Sequence, residues 1–184
     1  MYYYLVASLP PLVLGTPAPF TPEEFRFNCQ GVLSKPHLDE LDAILAGNTR
    51  DSTEQFTMRW HDIDTEIRNV CARIRAGREG IDESPYTQSV TEYSVAVEHS
   101  VTDALSKANP MEQELALDRV RWRALEELGK ENSFGLDAAL AFALKLRIAM
   151  RWSKMTEEAG REYVEDFIHK NTHEIIEDYK VHTA

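Results

Sequence analysis

The chain has 184 residues, 43% apolar and 28% charged, which is the balance of an ordinary globular protein with enough length to bury a core. A formal charge of −11 excludes extended docking on nucleic acid or anionic lipid, since both depend on clustered Lys and Arg. Two cysteines, Cys29 and Cys71, stand far apart with no CxxC spacing and read as buried thiols of a reducing, cytoplasmic protein.

Residues 2–14 combine aromatics with a Pro10-Pro11 break and suit either an extended or a short helical segment. They lack the basic n-region of a signal peptide. Thr21-Pro22-Glu23-Glu24 is a helix start: a Thr cap, Pro at the first position and Glu at the capping-box position. That helix is expected to end near Ser34. A second runs from Pro36, with Leu38, Leu41, Ile44 and Leu45 inward, to a stop at Gly47-Asn48.

From about Ser52 to Ala76, Phe56, Trp60, Ile63, Ile67, Val70, Cys71 and Ile74 recur at steps of three and four, with charges on the other face. Arg73, Arg75 and Arg78 at its end match the helix dipole. The Gly- and Pro-rich break at 77–85 is a candidate sub-boundary between two lobes of one domain, 1–184. Val90, Val97, Val101, Leu105 and Ala108 predict a helix within 86–108. The next spans Pro110 to Lys130, with Met111, Leu115, Trp122 and Leu125 on one stripe and Asp118 inside it.

Phe134 to Trp152 is apolar on nearly every side, as suits a helix wrapped by others. Asp137, Lys145, Arg147 and Arg151 exclude a membrane span there. Arg147 falls between Leu136, Leu140 and Ala143, and a buried cation needs a partner. Asp118, on the preceding helix across a short loop, is the expected partner in a structural ion pair. Lys145 and Arg151 have no expected internal partner and are candidates for gripping an acidic neighbour. A last helix is expected from about Thr156 to Tyr179, with Tyr163, Val164, Phe167, Ile168, Ile175 and Tyr179 on its apolar side. The fold class is all-α, a bundle of six to seven helices.

Catalytic signals are thin. Glu165, His169, His173 and Glu177 share a helix face, and His169 and His173 are the only candidate metal ligands. HKNTHE is not HExxH, so the face reads as solvated and acidic, with no metal or cofactor expected. There is no phosphate loop, dinucleotide fingerprint or nucleophile elbow, and no enzyme is expected.

Tyr2-Tyr3-Tyr4-Leu5-Val6-Ala7-Ser8-Leu9-Pro10 with Pro22-Glu23-Glu24-Phe25 resembles a family of small bacterial proteins of unknown function encoded among V-type ATPase subunits. Leu117-Asp118-Arg119-Val120-Arg121-Trp122, Leu136-Asp137 and Leu146-Arg147 are similar to motifs of the C-type (or d-type) stalk component of that ATPase. This all-helical component seats the central stalk on the membrane ring. The resemblance implies a non-catalytic accessory or stalk component whose partners are other ATPase subunits, with no direct membrane insertion. The aromatic cluster Tyr2, Tyr3, Tyr4 with Leu5 and Leu9 is the candidate contact patch, alongside Lys145 and Arg151. The alternatives are a transient assembly factor or regulator of the same complex, and a metal-dependent helical enzyme.

Overall fold

A computed structural model describes residues 2–91, 93–155, 160–161, 163–165 and 167–168. Among the residues up to 155 that the structure describes, the α-helices follow in order: α1 Tyr3–Ser8, α2 Pro22–Gln30, α3 Lys35–Ala46, α4 Gln55–Glu79, α5 Val95–Leu105, α6 Pro110–Lys130 and α7 Leu136–Lys154. A short 3-10 turn at Ser84–Tyr86 lies between α4 and α5, and no strand occurs among the described residues. The protein is an all-α helical bundle.

The helices that begin on strong local signals begin where the sequence places them. Thr21 accepts a hydrogen bond from the Glu24 amide while the Glu24 carboxylate accepts one from the Thr21 amide, a complete capping box. Asn109 caps α6 by accepting from the Glu112 amide, with Pro110 at the first position. α2 ends at Gln30, ahead of the expected Ser34, and residues 3–8 are helical rather than extended.

The segment 86–108 departs from expectation. Helix α5 starts only at Val95, and Val90 lies outside it. The cause is on α4. Asn69 donates to the Gln88 carbonyl at 2.7 Å and accepts from the Gln88 amide at 2.9 Å, so its side chain pairs with an extended backbone. Glu66 accepts from the Ser94 amide at 2.5 Å. The amides of Gln88 and Ser94 are thus held by side chains and need no helical partner. Glu66 and Asn69 are buried for this purpose, although the sequence pattern assigns them to the solvated face.

Two apolar clusters form the core. The first joins Leu5, Phe25, Leu41, Ile44, Phe56, Trp60, Leu125, Leu140 and Leu146 with their neighbours from α1, α2, α3, α4, α6 and α7. The second joins Ile67, Val70 and Cys71 of α4 to Val101, Ala104 and Leu105 of α5 and Leu117 of α6. Residues from both sides of 77–85 build each cluster, and α4 and α6 run through both. Where α6 and α7 cross, a methyl group on Gly129 would lie 3.1 Å from the Ala141 Cβ, so small residues set a close approach.

Not every apolar residue assigned inward is buried. Met111 is exposed at the start of α6. The described residues between 160 and 168 are helical, yet Tyr163, Val164, Phe167 and Ile168 are each more than half exposed. Ile175 and Tyr179 lie outside the described residues. No described helix is long and apolar enough to cross a membrane.

Candidate functional site

Four arginines converge where the C-terminal end of α3 meets α4, α6 and α7. Gly47, Thr49, Trp60, Asp64, Arg68, Asp118, Arg121, Leu144, Arg147, Ile148 and Arg151 line a cleft of about 250 Å³. Drug-sized ligands occupy pockets of roughly 300–1,000 Å³, so this one suits a single small group.

Asp118 is the hub. Its side chain is 2% exposed and is held from three sides. Arg121, one turn on along α6, donates to Oδ1 at 3.1 Å. Arg151 and the Trp152 indole, both from α7, donate to Oδ2, the indole at 2.7 Å. Arg121 also reaches Asp64 on α4 at 2.9 Å, and Asp64 pairs with Arg68 at 3.0 Å. One network therefore ties α4, α6 and α7 together. Burial disfavours the Arg121 cation, but Asp64 and Asp118 outweigh it, and its pKa is raised.

The expected Asp118–Arg147 pair is not formed. The partner from α7 is Arg151, one helical turn further along the same face. Residues four apart point the same way, and an apolar stripe cannot tell which of them meets a given neighbour. Arg147 instead lies against the C-terminus of α3, where a methyl group on Gly47 would come within 2.7 Å of its Nη2. Gly47 takes φ 93°, a left-handed turn that ends α3. Among the described residues none forms a hydrogen bond or ion pair with the Arg147 guanidinium. Burial lowers its pKa, and the only opposing effect is the through-space charge of Asp64. The negative end of the α3 dipole favours the cation by about 0.3–1 kcal/mol but gives the guanidinium's five N–H donors no protein acceptor among the described residues.

Lys145 and Arg151, expected to be free, are both engaged. Lys145 bonds Glu126 at 3.1 Å and sits 4.5 Å from the centre of the Trp122 ring. Arg151 adds Glu114 at 3.6 Å to its bond with Asp118. Of the three α7 cations weighed from the sequence, the one left over is thus the one that had been assigned a partner.

The N-terminal aromatic group divides. Leu5 is buried, Leu9 packs against the first cluster, and the Tyr2 hydroxyl bonds His37 Nδ1 at 2.7 Å. Tyr4 is 87% exposed and Tyr3 is 46% exposed. The Tyr3 ring packs 4.9 Å from that of Phe134 and 5.6 Å from that of Tyr4, which makes a surface aromatic group at the start of α7. Phe134, expected at the start of the wrapped helix, lies instead in the loop before α7, which begins at Leu136.

Cys29 and Cys71 are free and buried. Burial pushes the Cys29 thiol up to about 12, far from a reactive thiolate. Among the described residues no group of three or more His, Cys, Asp or Glu side chains is placed to hold a metal ion. His169 and His173 lie outside the described residues.

Residues 94–175, under half of the chain, are similar to a family described as "Protein of unknown function (DUF2764)". The match begins at the cap of α5 and takes in all of α6 and α7, and with them Asp118, Arg121, Arg147 and Arg151. No curated protein and no solved structure matches the chain.

Proposed function

We propose that this protein is a non-catalytic, cytoplasmic accessory or central-stalk component of a V-type ATPase that works by holding partner subunits. The observation that carries the reading is the aromatic group Tyr3, Tyr4 and Phe134, displayed at the surface beside a buried Leu5 and the half-buried Tyr2 and Leu9. Aromatics are enriched at the cores of protein interfaces, and Tyr4 has no part in the internal packing that would otherwise account for it. The resemblance of Tyr2–Pro10, Leu117–Trp122 and Leu146–Arg147 to ATPase-associated sequences supplies the setting. The ion-pair network supports a mechanical role, since it locks α4, α6 and α7 and lets a load on one helix pass to the others.

The test is affinity purification of the tagged chain from its native cells, with and without the paired change Tyr4→Ser and Phe134→Ser. Recovery of ATPase subunits in fixed proportion, lost in the double variant while the variant keeps its helical circular dichroism, is the expected result. An intact, active ATPase purified without this chain overturns the reading of a permanent component.

A further inference from the structure

Four of the chain's 20 basic residues line one small cleft in a protein of net charge −11. The lining holds two carboxylates, Asp64 and Asp118, against the four guanidiniums, which leaves two positive charges uncompensated. Counting Glu114, which reaches Arg151 from outside the lining, still leaves one. The excess sits on Arg147, whose guanidinium has no protein partner among the described residues. Arg68, Arg121 and Arg151 each carry five N–H donors, more than their carboxylate bonds consume.

We propose that this cleft is a phosphate-binding site, with Arg147 holding the phosphoryl group and the edges of Arg68, Arg121 and Arg151 completing its shell. A guanidinium presents a planar fork that takes two oxygens at once, and phosphate offers enough oxygens to engage several such forks, where a carboxylate offers two. The cleft, at about 250 Å³, has room for a phosphoryl group. Asp118 and Asp64 fix Arg121, Arg151 and Arg68 in place, so these side chains need no reordering when the anion enters. The Gly47 turn keeps the α3 end clear, since any side chain there would displace Arg147. The site stands apart from the aromatic contact surface, and the two proposals fail independently.

Isothermal titration of the purified protein in a phosphate-free buffer of constant ionic strength tests it, with inorganic phosphate, glycerol 3-phosphate and acetate as separate arms. Saturable binding of phosphate, at least about tenfold weaker in Arg147→Gln and recovered in part by Arg147→Lys, is the expected result. A monoester binding as tightly as or more tightly than the free ion identifies the ligand as a phosphorylated small molecule. The reverse order identifies inorganic phosphate. Acetate binding as well as phosphate overturns the assignment of the anion. Absence of saturable phosphate binding by the unmodified protein overturns the site, as does binding undiminished in a folded Arg147→Gln variant.

Discussion

Asp118 and Arg147 are both charges set in apolar stripes, and the structure gives them opposite energetics. Asp118 carries three donors on a side chain that water does not reach. Asp118→Asn removes the charge that Arg121 and Arg151 both lean on, and truncating a buried pair costs about 3–5 kcal/mol. Urea unfolding followed by circular dichroism should show that loss as a lower midpoint with an unchanged slope. Arg147→Gln breaks no ion pair and relieves a desolvated cation, so in phosphate-free buffer its stability should stay within about 1 kcal/mol of the parent. Cys29 gives a second residue-scale prediction. Its thiol titrates near 12 in the folded protein against 9.0 when exposed, so between those values the unfolded chain has lost a proton that the folded chain keeps. Stability therefore falls as pH rises through that window, by up to about 1.4 kcal/mol per pH unit from this group. Cys29→Ala should flatten the alkaline slope of the unfolding free energy, and an identical slope in both proteins would refute the assignment.

At the scale of the element, α4 decides how its successor begins. Glu66 and Asn69 occupy positions that the three-and-four spacing gives to solvent, yet both are buried and bond the backbone of 88 and 94. Asn69→Ala removes the partner of the part-buried Gln88 amide and carbonyl, at a cost of up to about 1–3 kcal/mol. Hydrogen exchange should quicken at Gln88 in that variant while the interior of α6 keeps its protection, and unchanged exchange at Gln88 would contradict the clamp. The same contrast explains what was legible in the sequence. α2, α3 and α6 begin or end on signals carried within a few residues: Thr21 with Glu24, Gly47, and Asn109 with Pro110. The start of α5 combines a local cap, the Ser94 side chain accepting from the Val97 amide, with bonds from residues 19 and 28 positions away, and the distant bonds are what no local pattern encodes. The cleft was half legible for a related reason. Periodicity selects the faces of α6 and α7 that meet, but the choice between Arg147 and Arg151 depends on the stagger of the two helices, which the spacing within either helix does not carry.

For the whole molecule, the question is whether two core clusters mean two folding units. α4 is 25 residues long and α6 is 21, and each contributes its opposite halves to different clusters. A break in either cluster would leave half of a long helix exposing an apolar face, and most helical stability comes from packing such a face rather than from intrinsic propensity. The Asp64, Arg121, Asp118 and Arg151 network lies where both long helices pass from one cluster to the other, which adds a polar tie at the same place. Melting of one cluster should therefore pull the other with it. Leu140→Ala empties a fully buried site in the first cluster and Leu105→Ala one in the second. Each should cost about 2–5 kcal/mol and lower the single melting transition by several degrees, about 2–4 °C per kcal/mol for a chain of this size. In calorimetry both variants should keep one peak whose van't Hoff and calorimetric enthalpies agree. A Leu105→Ala protein that melts in two steps, the first confined to α5 and the C-terminal half of α4, would show instead that the second cluster folds on its own.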